Sequence, residues 1–204
     1  LYSRAFQLVA QIRNPEVTKE LANATNTIAE GEIKQLINLQ DPEISEDTYY
    51  NIVRSKTAQL FETSGKLGGI LGGLEADAID ALGSYGMHMG TAFQLVDDAL
   101  DYSGDEHEIG KNLGDDFFEG KVTLPLIHVI KNGSMEEAEF VKNAIKNNSM
   151  KDLKRVKEIL KLNKVIEYVH HKADHEVNQA IAALDIISPS KYKTCLIELA
   201  QFAT

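Results

Sequence analysis

Apolar residues recur at three- and four-residue spacing through almost the whole chain, and period-two alternation is nearly absent. That pattern predicts helices near residues 1–13, 17–39, 46–71, 76–102, 124–131, 135–147, 150–162, 165–186 and 190–203, and so an all-α protein. Pro15, Pro42, Pro125 and Pro189 all fall at helix edges, where a missing backbone N–H costs least. Asn132-Gly133 followed by Ser134 and Glu137 reads as a helix end and then a capping box; Ser149 with Asp152 reads the same way. Gly68-Gly69 and Gly72-Gly73 mark where the third helix loosens and stops. No repeat and no long polar linker interrupts the pattern, which predicts a single helical domain over residues 1–204.

The apolar rhythm breaks once, in Phe93-Gln94-Leu95-Val96-Asp97-Asp98-Ala99-Leu100-Asp101. Gln94, Asp97, Asp98 and Asp101 stand at i, i+3, i+4 and i+7, on one narrow stripe of a helix. A charged triplet on a helix is most often a solvated face. Here Met87, Met89, Ala92, Phe93, Leu95, Val96, Ala99 and Leu100 leave no broad polar side to solvate. Carboxylates crowded against an apolar wall are costly unless a cation neutralises them. Mg2+, a hard ion usually held by one or two carboxylates and substrate phosphates, suits the set. Asp97 and Asp101, one turn apart, are the natural direct ligands, with Asp98 between them.

Opposite charge follows in Gly110-Lys111-Asn112-Leu113-Gly114-Asp115-Asp116 and Glu119-Gly120-Lys121-Val122-Thr123-Leu124-Pro125-Leu126. Glycines let backbone approach a ligand, and lysine ammonium groups suit phosphate oxygens. Thr123 and Pro125 open another helix, whose free amides favour an anion. Asp115 and Asp116 are candidates for orienting Lys111 or a metal-bound water. Lys56 and Thr57 sit on the third helix; taken alone, that lysine would snorkel outward and that threonine would bond its own backbone. Gly86 and Gly90 each cost about 1 kcal/mol of helix propensity, which either close packing or a tolerated buried glycine explains.

Composition narrows the classes. With 43% hydrophobic and 25% charged residues the chain can bury a core, and its net charge of -10 argues against a nucleic-acid surface. The one cysteine, Cys195, builds no intramolecular disulfide and suits a reducing compartment. No apolar run is long enough to span a bilayer. His171 and His175 are four apart, yet Lys172, Asp174 and Glu176 surround them, so a solvated face outweighs a metal pair.

These blocks, in this order, resemble the trans-type polyprenyl diphosphate synthases. Tyr50 through Ser64 with its Lys56-Thr57 pair, Gly86 through Tyr102 with Phe93-Gln94 and the second aspartate-rich motif, and Gly110 through Leu126 carry the resemblance. Leu1 through Gln7 and Ala29-Glu30-Gly31-Glu32 add to it, and within the family the wording is nearest to the bacterial octaprenyl diphosphate synthases. The resemblance implies an isoprenoid-synthase-type helical bundle around a central cavity. It implies condensation of isopentenyl diphosphate onto an allylic diphosphate with trans double bonds, giving octaprenyl diphosphate for a quinone side chain. Asp97, Asp98 and Asp101 would hold Mg2+ on the diphosphate, and Lys56, Lys111 and Lys121 would contact phosphate oxygens. Thr57 and Gln94 would face the carbocation with neutral oxygens, and Phe6 would form part of the floor of an apolar tunnel for the growing chain. A homodimer in the cytoplasm is the implied setting.

The family's first aspartate-rich motif and its arginine pair lie upstream of the segment matched by Leu1 to Gln7, and these residues contain neither. The expectation is therefore the C-terminal portion of a longer synthase, its N-terminal helices missing. A synthase of shorter product, such as geranylgeranyl diphosphate, or of another long-chain product is an alternative. A catalytically silent partner subunit of a synthase is another.

Overall fold

Every regular element is helical among residues 2–103 and 114–202, the part of the chain that the computed structural model describes. In chain order they are α1 (Tyr2–Ile12), α2 (Pro15–Ile37), α3 (Glu46–Val53), a π-helical turn (Arg54–Ala58), α4 (Gln59–Leu71) and α5 (Ala76–Ser103). Beyond residues 104–113 come α6 (Asp115–Phe118), α7 (Leu124–Asn132), α8 (Met135–Asn147), a 3-10 turn (Met150–Asp152), α9 (Leu153–Leu162), α10 (Val165–Ala183), a second 3-10 turn (Leu184–Ile186) and α11 (Lys191–Phe202).

Local chemistry sets the boundaries. Asn14 accepts from the amides of Glu16 and Val17 while Pro15 supplies the fixed φ of a first helical residue, so α2 starts two residues before the periodicity suggests. Ser45 caps α3 through the amide of Thr48. Ser134 and Glu137 form the expected reciprocal capping box of α8. The second expected box is not formed: Ser149 makes no side-chain cap, and the chain runs through a 3-10 turn before α9 begins. Asn148 ends α8 in the left-handed region at φ 44°. That exit leaves Ser149 accepting the amide of Asp152 with its carbonyl instead of its hydroxyl.

The 28-residue α5 is the axis of the fold, packed mainly against α4 on one side and α10 on the other. Ala92, Leu95 and Ala99 on its inward face are fully buried and join Leu124, Leu126 and Val129 of α7, Val156 and Ile159 of α9, and Val165 and Val169 of α10 in the main core. At about 1.5–3 kcal/mol for each buried branched side chain, this core is what holds α5 in place. A smaller apolar cluster, Val9, Val17 and Leu21 with Phe6, Leu67 and Ile70 against it, joins α1, α2 and the end of α4. The polar stripe of α5 faces the other way, toward α3 and the π-helical turn.

Candidate active site

Asp98 lies five residues before the C-terminal end of α5 and is only 2% exposed. Tyr49 of α3 donates its hydroxyl to Asp98 Oδ2 at 2.6 Å, and Gln94 Nε2 donates to Asp98 Oδ1 at 2.8 Å. The same amide reaches Asp97 Oδ2 at 3.4 Å, while Thr57 Oγ1 donates to Gln94 Oε1 at 3.0 Å. A continuous chain therefore runs Thr57–Gln94–Asp98–Tyr49 across three packed elements, the π-helical turn, α5 and α3. Burial, then the negative charge of Asp116, pushes the Asp98 carboxyl up to about 7, against the hydrogen bonds that favour its ionised form. Burial and the neighbouring Asp98 hold the Tyr49 phenol well above its ordinary range, so it remains a donor.

Thr57 reaches Gln94 because the helix is under-wound there into a π turn. The sequence pattern predicts an uninterrupted helix over 46–71; instead Arg54–Ala58 forms an i to i+5 turn that re-aims Lys56 and Thr57. Two glycines make room for it. A Cβ on Gly31 of α2 would lie 2.8 Å from the backbone nitrogen of Lys56, and one on Gly90 of α5 would lie 2.6 Å from Cα of Ala58. Close approach thus decides between the two explanations of Gly90, and the residue spaces α5 from the turn.

Lys56 Nζ ion-pairs with Glu32 Oε2 at 2.7 Å and donates to Gln35 Oε1. Lys121 Nζ sits 2.7 Å from Asp116 Oδ1 and 2.8 Å from Glu119 Oε2. Both lysines, with Thr57, Gln94, Asp97, Asp98 and Asp116, line a cavity of about 180 Å³ whose apolar side includes Ile44, Ile52 and Val53. Thr123, at the N-terminus of α7, lies on the same wall with its hydroxyl buried and unpartnered.

Asp101 is placed differently. Its carboxylate accepts the backbone amides of Gly114 and Asp115 on Oδ1, each at 3.1 Å, and that of Asp116 on Oδ2 at 3.3 Å. Burial and Asp116 raise its carboxyl while these amides pull it back. An ionised carboxylate has about four acceptor sites, so three amides leave little capacity for a cation. Gly114, at φ 86°, provides the left-handed turn that brings the three amides to one acceptor.

Of the sequence-predicted site residues, Lys56, Thr57, Gln94, Asp97, Asp98 and Lys121 meet at one cavity. Lys111 lies outside the described residues. Phe6 packs into the α1–α2–α4 cluster, away from the cavity wall. Among the described residues no three or more Asp, Glu, His or Cys side chains form a group able to hold a metal ion unaided. Sequence reasoning gave no role in the site to Tyr49, Glu32 or Gln35. Tyr49 is seven residues before Lys56, a helical spacing that places the two on one face and could have flagged it.

A family model described as "Polyprenyl synthetase" matches residues 1–163. The chain belongs to that family. It is 45% identical over 202 residues, 98% of this chain and 61% of the relative, to the octaprenyl diphosphate synthase of Haemophilus influenzae. The octaprenyl diphosphate synthase of Escherichia coli is 41% identical over 204 residues, all of this chain and 63% of that one. Among solved structures, a Caulobacter crescentus polyprenyl synthase complexed with calcium and isoprenyl diphosphate superposes with a TM-score of 0.94 at 37% identity, covering 99% of this chain and 62% of that one. A Rhodobacter capsulatus decaprenyl diphosphate synthase gives 0.90, also at 37% identity, over 99% of this chain and 63% of that one. The fold is thus the all-α isoprenoid-synthase bundle that the resemblance implied, and the chain spans about three fifths of the length of the relatives it matches.

Proposed function

We propose that this protein is a trans-prenyltransferase that adds isopentenyl diphosphate units to an allylic diphosphate, yielding octaprenyl diphosphate for a quinone side chain. The observation that carries the reading is the Thr57–Gln94–Asp98–Tyr49 hydrogen-bond chain on a cavity that also presents Lys56, Lys121 and Asp97. The similarity to octaprenyl diphosphate synthases along nearly the whole chain supports the product.

A cation fits the donor set. Asp97, Asp98 and Asp116 face one cavity with oxygen donors alone, and burial, then the charge of Asp116, pushes the Asp98 carboxyl up, a penalty on its ionised form that a bound cation would relieve. No described group suffices by itself, which suits Mg2+, an ion completed by substrate phosphate oxygens and water. Asp97 and Asp98 would hold it, and Asp101, engaged by three amides, would order the turn that carries Asp116. Bound Mg2+ would neutralise charge on the departing pyrophosphate.

The remaining work belongs to the chain itself. Lys56 and Lys121 each exchange a carboxylate partner for phosphate oxygen when a diphosphate enters; both are paired beforehand, so their position costs little to reorganise. Thr57 and Gln94 hold each other in one orientation, presenting neutral oxygen dipoles to the allylic carbocation without a strong nucleophile. Ile44, Ile52 and Val53 keep water from it. An apolar ridge of Ile33, Leu36 and Ile37, exposed along α2, supports a homodimer in the same reading. The lone free Cys195 supports a reducing, cytoplasmic setting.

The deciding experiment incubates the full-length protein with radiolabelled isopentenyl diphosphate, an allylic primer and Mg2+, then separates the products by chromatography. Octaprenyl diphosphate is expected. A geranylgeranyl product would move the assignment to a shorter-chain synthase, and absence of incorporation would overturn the enzymatic reading in favour of a silent subunit.

A further inference from the structure

The charge of this molecule is unevenly distributed. Residues 151–164 carry six lysine and arginine residues against Asp152 and Glu158, in a chain whose net charge is -10. Val156, Ile159 and Leu160 turn the apolar side of α9 into the core, so its cations are forced to the outside. Lys151, Lys154, Arg155, Lys161 and Lys164 are exposed. Lys154, Lys161 and Lys164 also rim a cavity of about 510 Å³ between the end of α5, α9 and the start of α10, floored by Tyr102, Leu160 and Ile166. Glu158 and Glu167 stand on the same rim, and Arg155 is tied to Glu158 at 3.2 Å, so the excess positive charge rests on Lys151, Lys154, Lys161 and Lys164, together with Lys157, which lines the same cavity. Lys164 is held in the left-handed region at φ 52° as the residue before α10, which fixes its stem beside that opening. Leu162, between Lys161 and Lys164, is 70% exposed.

A basic face with an apolar hollow and a protruding leucine is complementary to the surface of an anionic bilayer. Lysines meet headgroup phosphates, and Leu162 reaches the interface below them. From this arrangement we infer that the α9 face docks the protein on anionic membrane lipid. The net negative charge of the chain favours this basic face over acidic ones in the approach to an anionic surface. The attachment is electrostatic and reversible: the buried apolar side of α9 is unavailable for insertion, and a small number of cations within a Debye length is sensitive to salt. This inference goes beyond the proposed reaction and does not depend on it, since lipid binding is read without substrate.

The test is co-sedimentation of the full-length protein with phosphatidylglycerol-containing vesicles and with pure phosphatidylcholine vesicles, at low and at high salt. Binding to the anionic vesicles alone is expected, with loss at high salt. Replacing Lys154, Lys161 and Lys164 by glutamate should weaken it by about a hundredfold, from roughly fivefold for each cation removed. The control, Lys19→Glu with Lys34→Glu and Lys131→Glu, makes the same change in net charge on other surfaces and should leave binding nearly intact. Thermal melting of both variants checks that they fold. Failure of the wild-type protein to sediment at low salt, equal sedimentation with neutral vesicles, or equal loss in the control would each overturn the inference. Prenyl transfer measured on the same samples stays separate, so loss of lipid binding with turnover preserved leaves the proposed reaction standing.

Discussion

Asp98 and Asp101 leave one helix less than a turn apart, with the same side chain and the same stripe, yet they face different tasks. Asp98 is held by side chains, Tyr49 and Gln94, at a cavity; Asp101 is held by the backbone amides of residues 114–116. The difference lies in what packs opposite each residue. Helix α3 brings a phenol to the first, and the left-handed turn at Gly114 brings a row of N–H groups to the second. An acidic stripe thus divides into one end that lines the cavity and one that builds the wall beside it.

Removing the carboxylate at the ligand end should have the largest effect. Under the proposed reaction, Asp97→Ala in the full-length protein is expected to lower kcat about a thousandfold, as several kcal/mol of charge stabilisation on the leaving group disappears. Its melting temperature should hardly change, since Asp97 is not a core residue. Steady-state kinetics beside a thermal melt checks both parts, and near-normal turnover would remove Asp97 from the metal site.

Asp101→Ala should reverse that signature. It leaves three amides without their acceptor, so a loss of about 2 kcal/mol is expected in urea denaturation, partly offset by water at the exposed amide of Asp115. The kcat loss should be smaller than for Asp97→Ala and should track the disordering of Asp116 and Lys121. Loss of kcat equal to that of Asp97→Ala with stability unchanged would return Asp101 to direct metal contact and dissolve the contrast.

A gentler probe is proton linkage at Asp98. Its carboxyl titrates at 3.8 when unperturbed and is pushed up to about 7 in the fold by burial and by Asp116. The folded state therefore holds a proton that the unfolded chain gives up. The stability this lends is fully present below about pH 4 and is lost as pH rises through about 7. Metal-free protein should melt at progressively lower temperature across that interval. Asp98→Asn, which cannot ionise, should flatten the slope, and Mg2+ with pyrophosphate should restore stability at the alkaline end. A wild-type slope that survives in Asp98→Asn would place the linkage elsewhere.

Periodicity made the helices legible because each buries one face, and the stripe at Gln94 to Asp101 was legible because it violates that rule. The π turn was not. Nothing in Arg54-Ser55-Lys56-Thr57-Ala58 departs from an ordinary helix; the extra residue is accommodated only because Gly31 and Gly90 arrive from α2 and α5, and such long-range fit leaves no local trace. For the same reason Tyr49 stayed hidden. Its spacing to Lys56 was visible, but a tyrosine on a buried helical face reads as core until its hydroxyl partner is known. The division between Asp98 and Asp101 likewise depended on partners distant in sequence.

The smallest effect is expected farthest from the polar seam, at Phe6. It packs with Val9, Val17 and Leu21 in the cluster that joins α1 to α2 and the end of α4, where no charged group of the site reaches. If the growing prenyl chain extends from the cavity between these helices, the phenyl ring limits its length by occupying volume, with no part in the chemistry. Phe6→Ala should then leave kcat for the first condensation within about twofold while shifting products toward longer chains, because the vacated space admits further isoprene units. Chromatography of the product ladder reads the shift directly. An unchanged ladder together with a lowered melting temperature would make Phe6 a packing residue alone, and the contrast within the site would then stop at α5.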